Sequence, residues 1–600
     1  MIRVSDYIIS KLYSLNTKYI FLLTGGGAMY LNDAVVSQSK MKYVCNHHEQ
    51  ACAMAAEIYS RVTGNLGVAM VTSGPGGTNA VTGVLGAWQD STPCLFISGQ
   101  AKRNQTVYNS GIENLRQMGT QEVNIIPIIK SITKFSTIIN NPELIRYELE
   151  KAIYMAYEGR PGPVWLDIPL DVQSAMIDPT KLIAFNPLKL FSRDKKTSTD
   201  KEIDEIIKLL QVSKKPLLIA GNGIKLSKAK SEFLKLVKTL KIPVVTTVLG
   251  LDILHYNHPL NIGRGGTKGN RSANIAIQNA DLIISIGSRL AVPFIGYEYD
   301  LFAPKAKIVV VDIDPNEHKK KTIIINKVII SDAKAFICKL NSFLKNKHFS
   351  FMKGWTQKLK RIQNKYPIIL PEYSKLPGKM NMYYVMDVIS NALDKNDIII
   401  SDAGSAFYVV SQAIKTKQGQ QVILPGGTAT MGFNLPASIG ASIGTKNKRV
   451  ICITGDGSLH TNIHELETIR LNKLPIKIFV FNNNGYLSIR NTQGNLLDNR
   501  LIGEGNKTGV TIPNLKLIAK AYSIKYYQVK NSKELLKVVP LTLKYKGPVL
   551  CDISCLEKQP IIPTVSSKKL PDGSMKSTSI DDMYPFLSTK EMIQIKKDLK

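Results

Sequence analysis

The chain has 600 residues, 44% hydrophobic and 21% charged, enough apolar material for about three or four domains of ordinary size. That excludes a small disulfide-stapled module and a mainly disordered chain, and no apolar run approaches the roughly 20 residues of a bilayer-spanning helix. The net charge of +32 favours anionic partners, but the lysines are dispersed, with no zinc-finger spacing and no RNP-type strand, so nucleic acid is not expected. The segment Met1 to Asp6 lacks the basic-then-apolar pattern of a secretory signal, and a cytoplasmic protein is expected. Seven scattered cysteines, an odd number without a C-x-x-C pair, point to reduced thiols.

In chain order, the strand-like run YIFLLT leads into Gly25-Gly26-Gly27, and LGVAMVTS into Gly74-Pro75-Gly76-Gly77. PCLFISG and GPVWLDIP complete a first block over 1–185. The polar stretch Ser192 to Lys201 reads as a linker. PLLIAG, PVVTT, DLIISIG and KIVVVDID form a second block over 195–345, followed by a lysine-rich, helical connector. DIIISD, RVICITG and IKIFVFNNN place a third block over 375–560. The tail, 561–600, carries Gly573, Ser574, Ser577, Thr578 and Ser579 and reads as loop. Apolar runs alternating with amphipathic stretches are the pattern of parallel sheets buried on both faces by helices. The expected fold is α/β: three consecutive doubly wound domains with parallel sheets.

The densest chemistry lies in the third block. Gly455-Asp456-Gly457-Ser458 ends a buried strand, and a second strand ends in Asn482-Asn483-Asn484-Gly485. Between them, NIHELETIRLNKLP puts Ile463, Leu466 and Ile469 on one helical face. Such a βαβ unit brings Asp456 and Asn483 together at the carboxyl ends of neighbouring strands, where open α/β sheets bind ligands. A carboxylate, an amide oxygen and a backbone carbonyl are hard donors, suited to a Mg²⁺ that completes its octahedron with diphosphate oxygens. Ser458 and the N–H groups opening the helix are placed to hold the phosphates.

On these residues the chain resembles thiamine diphosphate enzymes of the acetolactate synthase type over nearly its full length. The resemblance implies Asp456, Asn483 and the carbonyl of Gly485 as Mg²⁺ ligands, with Gly455, Gly457 and Ser458 at the diphosphate. Pro425 to Phe433 is similar to the family segment that buttresses thiamine: Met431 would support the bent cofactor, and the Ala429 carbonyl would accept from its aminopyrimidine. Ser401 to Ala406 resembles the loop that meets the diphosphate from the other side, through Gly404, Ser405 and Ala406. His48-Glu49-Gln50 resembles the family's catalytic glutamate at the head of a helix. Glu49 would stabilise the imino tautomer of the pyrimidine, whose nitrogen then takes the thiazolium C2 proton. Gly26 with Gly27, and the loop Gly74 to Asn79 with Pro75 and Asn79, would lie near the cofactor. Gln121 matches the family's active-site glutamine, although Thr120 replaces the usual phenylalanine before it. Because thiamine sits between one block of each chain in this family, a homodimer or homotetramer is implied.

Gly159-Arg160-Pro161, late in the first block, resembles the segment whose arginine touches FAD, and the second block would supply the rest of that site. Gly265, Arg289, Asp312 and Asp332 occupy places that would line that flavin site, in a largely non-redox role; relatives also keep this block with ADP or with nothing bound. Two positions depart from the acetolactate synthase pattern. Pro293 stands where an arginine helps recognise the carboxylate of the second 2-keto acid, and Thr492 where a tryptophan shapes the acceptor pocket. A lost guanidinium removes a carboxylate clamp, and the smaller side chain opens space. These departures, with the long tail, look like the thiamine-dependent flavoenzymes that build branched-chain nucleotide sugars. The expected reaction is decarboxylation of pyruvate and transfer of the two-carbon unit to a carbonyl acceptor, a nucleotide-linked keto-sugar. The alternatives are an acetolactate synthase catalytic subunit joining two 2-keto acids, which a regulatory subunit can accompany, a simple 2-keto acid decarboxylase, and a non-catalytic thiamine-fold binding protein.

Overall fold

Each continuous apolar run forms a strand whose side chains alternate between two covered faces. The computed structural model describes residues 1–189, 197–345, 347–569, 572 and 574–599. Three six-stranded sheets, parallel throughout, follow one another along it. The first contains β1 (Tyr19–Leu22), β2 (Lys42–Cys45), β3 (Gly67–Val71), β4 (Cys94–Gln100), β5 (Phe135–Ile138) and β6 (Pro163–Pro169), in the order β2-β1-β3-β4-β6-β5. The second contains β7 (Pro216–Ala220), β8 (Val244–Thr246), β9 (Asn261–Arg264), β10 (Leu282–Ile286), β11 (Lys307–Asp312) and β12 (Lys327–Ile330), in the order β9-β8-β7-β10-β11-β12. The third contains β13 (Ile398–Ser401), β14 (Gln421–Ile423), β15 (Val450–Gly455), β16 (Ile476–Asn482), β17 (Lys525–Val529) and β18 (Val549–Ser554), in the order β14-β13-β15-β16-β18-β17. The first and third sheets therefore share one strand order, while the second has the order of dinucleotide-binding folds.

The helices that matter below are α1 (Glu49–Thr63), α2 (Pro75–Gln89), α3 (Gly404–Ala413), α4 (Asn434–Gly444), α5 (Asp456–His460) and α6 (Leu487–Leu496). Strand parity assigns the cores. Phe21, Ala69 and Phe96 share one apolar cluster with Ile400, Cys452 and Ile478 of the third sheet, so the first and third domains have a continuous core. Helices α1 and α4 cross inside it at backbone contact. A Cβ on Gly440 would lie 2.1 Å from the Ala55 carbonyl oxygen, and one on Gly83 of α2 would lie 2.4 Å from the Ala53 Cβ. Alanines at 51, 53, 55 and 56, all buried, let α1 lie between two helices. Gly64, at φ 71°, ends α1 in the left-handed conformation.

A polar tie reinforces this seam. Arg61 Nη1 meets Glu57 at 3.3 Å, Asp90 at 3.3 Å and the Leu424 carbonyl at 3.2 Å. Asp90 also accepts from the Gly426 N–H at 3.0 Å and the Gly427 N–H at 2.9 Å. Burial lifts the Glu57 carboxyl to about 7, with Arg61 opposing the shift.

The tail departs from the loop expectation. Thr564–Val565 pairs antiparallel with Met583–Tyr584, and a helix over Thr589–Asp598 starts with a capping box between Ser588 and Glu591. Ile580, Met583, Ile595 and Leu599 are buried against Phe294 and Trp355, so sparse apolar residues dock the tail on the central domain. The connector is helical over Trp355–Lys365, as expected. Half of the linker reading, 192–196, and Gly573 lie outside the described residues. Among the described residues, no helix is long and apolar enough to cross a membrane, and the seven cysteines are free thiols. Gly440→Ala should destabilise the protein by about 1–3 kcal/mol through overpacking at the α1–α4 crossing, read as a lower urea midpoint.

Candidate active site

Glu49 opens α1 at the end of the turn after β2, with His48 Nδ1 accepting from the Gln50 N–H at 3.1 Å as its cap. The carboxyl is only 7% exposed, and Asn79 Nδ2 donates to its Oε2 at 3.0 Å. Gly76 lies beside the other oxygen: a Cβ there would be 3.6 Å from Glu49 Oε1. Gly74, at φ 60°, approaches Gln121 so closely that a Cβ would lie 2.2 Å from its carbonyl oxygen. Gly27 donates to Thr72 Oγ1 at 3.1 Å, and the Cα of Gly26 faces open space. Glu49, Pro75, Asn79, Gln121 and Gly26 therefore stand together beside the first sheet.

The second group is in the third domain. Asp456 follows β15 as the first residue of α5, which is a single turn; the longer helix begins only at Glu465. Its Oδ1 accepts from the Gly457 N–H at 2.8 Å, and its Oδ2 from Asn483 at 3.0 Å and Gly485 at 3.1 Å. Burial raises this carboxyl to about 6, against the pull of those N–H donors. Asn483 Oδ1 is buried without a hydrogen-bond partner, so the pair presents an amide oxygen beside a desolvated carboxylate. That donor set fits a hard divalent cation. Gly485, at φ 134°, admits no side chain, since a Cβ would be 2.2 Å from the Glu504 carbonyl.

Around this pair the structure adds detail. The Ser458 hydroxyl donates to Asp402 and accepts from the Gly432 N–H at 2.9 Å. Asp402 also accepts from Asn434, and burial lifts it to about 6. Ser405 Oγ is 3.1 Å from Ser488 Oγ, and a Cβ on Gly404 would be 3.2 Å from the same hydroxyl. Ala406 turns its methyl into the core, leaving only its backbone for a ligand. Gly455 faces open space, whereas a Cβ on Gly457 would strike the Tyr486 ring at 2.2 Å. Ala429 has φ 47°, and Met431 is 37% exposed, not a core methionine. Among the described residues no hydrogen bond or ion pair joins the Glu49 group to the Asp456 group.

In the central domain, Arg160 Nη1 contacts Glu317 at 2.6 Å and Asp314 at 3.2 Å, and Arg289 Nε lies 3.5 Å from the same Glu317. Asp312 holds His318 at 3.2 Å. These residues converge beyond the carboxyl ends of β10 and β11. Asp332 instead caps the helix Ala333–Phe343, accepting from the Ala335 N–H at 3.0 Å. Gly265 is a packing glycine against Ile277 and Phe294. The Pro293 carbonyl accepts from the Thr267 N–H at 2.8 Å, and Thr492 is exposed on α6, donating to the Ser488 carbonyl at 2.9 Å.

Three supports escaped the sequence reading. Glu465, fully buried, accepts from Asn46 Nδ2 at 2.7 Å and the His47 N–H at 2.8 Å, so a third-domain carboxylate holds the turn that presents Glu49. Arg490 donates to the carbonyls of Asn483 at 3.3 Å and Asn484 at 3.1 Å and pairs with Glu504, bracing the Asn483–Gly485 turn. Asp402 joins Asn434 to Ser458. No local pattern marks this role of Glu465, whose first-domain partners lie 418 and 419 residues away in sequence.

Comparison with known proteins agrees with this geometry. Residues 2–128 match the thiamine pyrophosphate enzyme N-terminal TPP binding domain, 203–340 the central domain and 402–553 the C-terminal TPP binding domain. The chain is 33% identical to the acetolactate synthase large subunit of Cyanidium caldarium, over 94% of each chain. It is 31% identical to that of Lactococcus lactis subsp. lactis (strain IL1403), again over 94% of each. The chloroplastic acetolactate synthase of Arabidopsis thaliana is 31% identical over 94% of this chain and 83% of that protein. Fold and site thus define a thiamine pyrophosphate enzyme. Within that class, the chain belongs to the acetolactate synthase-like family of thiamine-dependent carboligases.

Removing the Glu465 carboxylate takes the acceptor from three donors: Asn46 Nδ2, the His47 N–H and the Thr468 hydroxyl. Glu465→Ala should therefore cost about 2 kcal/mol or more in stability, measured by denaturant titration.

Proposed function

We propose that this enzyme decarboxylates pyruvate and joins the two-carbon unit to a second 2-keto acid. The printed names of its relatives support that acceptor, and the buried, unpartnered Asn483 Oδ1 beside Asp456 is the observation that carries the cofactor site. Asp456, Asn483 and the Gly485 carbonyl would hold Mg²⁺, which supplies the charge that binds a diphosphate. When bound, thiamine diphosphate supplies the carbon nucleophile for the two-carbon unit. Glu49, oriented by Asn79, holds a proton at the pyrimidine ring nitrogen in a pocket that burial keeps dry. Met431 and the Ala429 carbonyl support the ring system from the third domain, and Gln121 faces the substrate. FAD in a non-redox role at the Arg160–Glu317–Arg289 edge belongs to the same proposal, supported by the strand order of the central sheet. We also assign the domains as 1–185, 195–345 and 375–560, with the tail over 561–600.

The separation of the Glu49 and Asp456 groups within one chain supports a homodimer or homotetramer, in which a second copy completes each site. Ile489, Leu496 and Ile502, exposed in the stretch that follows the Asn483–Gly485 turn, are apolar surface for such a contact.

A second reading, transfer to a nucleotide-linked keto-sugar, rests on Pro293 and Thr492. Neither supplies a cation for a 2-keto acid's carboxylate, and Thr492 is small and exposed. Incubation with pyruvate alone and with keto-sugar acceptors, followed by mass spectrometry, decides between the two. The proposal expects acetolactate from pyruvate alone; a sugar adduct without acetolactate overturns it and favours the second reading. In that case Thr492→Trp should suppress sugar transfer and spare CO₂ release.

The two site groups should fail differently. Glu49→Gln should keep thiamine binding while slowing C2 deuterium exchange at least ~10²-fold. Asp456→Ala should lose Mg²⁺-dependent thiamine binding in calorimetry, and wild-type affinity in that variant would refute the metal assignment.

A further inference from the structure

Arg264, the last residue of β9, is only 6% exposed, and its Nε and Nη2 have no hydrogen-bond partner among the described residues. Those two nitrogens share one edge of the guanidinium, the edge that donates side by side to two oxygens of a phosphate or carboxylate. The residue lines a cavity of about 170 Å³ between the central and third domains. Asn261 and Ser272 of the central domain, Gln363 of the connector, and Gln412 and Thr416 at the end of α3 form other parts of its wall. No aspartate or glutamate lines it, and its one other charged residue, Lys415, is already paired with Asp387.

The surroundings deepen the charge imbalance. Lys268 is a further cation close to Arg264, its Nζ 3.2 Å from the Thr564 hydroxyl and 5.0 Å above the Tyr408 ring. Burial pulls the Arg264 guanidinium down to about 10, with only the phenols of Tyr408 and Tyr383 opposing that shift. Burial, with Arg264 adding repulsion, takes the Lys268 ammonium to about 8. A buried guanidinium without a counter-charge is strongly unfavourable, and neutral amides and hydroxyls do not compensate it. Among the described residues that line the cavity, none supplies that counter-charge.

We propose that Arg264 anchors a second binding site, at the seam between the central and third domains, for a small oxyanion: a phosphate or carboxylate group offering two oxygens to one guanidinium edge. Asn261, Ser272, Gln412 and Thr416 give the same cavity a neutral polar wall. The inference is independent of the thiamine reading, because no residue of the Glu49 or Asp456 groups lines the cavity. The oxyanion is either free or the phosphate of a nucleotide, and the test separates these sources.

The test is calorimetric titration of the full-length protein, loaded with thiamine diphosphate and Mg²⁺, at constant ionic strength. Inorganic phosphate, propionate and FAD are the ligands, with chloride as control. At least one of the three should bind saturably to the wild type and at least ~10-fold more weakly to Arg264→Met. Arg264→Lys, which keeps the charge but loses the planar fork, should also bind more weakly, and it decides the matter if the methionine variant does not fold. In chloride alone, Arg264→Met should melt no lower than the wild type, because an unpaired buried charge has been removed. Loss of phosphate or propionate binding with FAD unaffected assigns a free anion; loss of FAD binding alone assigns a nucleotide phosphate. The site is refuted if none of the three ligands binds, or if wild type and variants bind all three alike.

Discussion

The structure depends on one contact, the crossing of α1 and α4 at backbone distance. Gly440 has no room for a β-carbon against the Ala55 carbonyl, and the alanine face of α1 makes that approach possible. Glu49 is the first residue of α1, and the turn that carries Ala429 and Met431 leads directly into α4. A single packing constraint thus sets where Glu49 and the Ala429–Met431 turn stand relative to each other within one chain. Glu465 adds a polar lock at the same seam, reaching from the third domain to the turn just ahead of Glu49.

The first and third domains use one strand order for different work. Both put their functional turns beyond the carboxyl ends of parallel strands, where the chain leaves the sheet and backbone groups are available. In the first domain those turns gather a carboxyl and glycines that leave space. In the third they gather a carboxylate, an unsatisfied amide oxygen and a glycine that permits the turn. The Asp402–Asn434–Ser458 network beneath them ties the Ser458 hydroxyl to a buried carboxyl and so braces the turn.

How much was legible in the sequence follows from burial. YIFLLT, DLIISIG, DIIISD and RVICITG were readable because these strands lie inside sheets and are apolar on both faces. The strands that escaped notice include every sheet edge: Lys42–Cys45, Phe135–Ile138, Asn261–Arg264, Lys327–Ile330, Gln421–Ile423 and Lys525–Val529. An edge strand is covered on fewer sides and carries polar residues, as Lys42, Tyr43 and Lys525 do, so its pattern fades into that of a loop. The Asp456 and Asn483 turns were legible because each follows an interior strand. Glu465 and Arg490 were not, since their partners are set by tertiary packing rather than by spacing. The tail misled for a related reason: Ile580, Met583, Ile595 and Leu599 are too sparse to show a period, yet all four are buried.

Asp90 belongs to the first domain but holds the Gly426 and Gly427 amides at the start of the turn that bears Ala429 and Met431. The third domain therefore does not own the shape of its own ligand-facing loop. Severed from the first domain, it would lose the anchor of that loop, and a first domain supplied as a separate chain would have to dock at this seam to restore it.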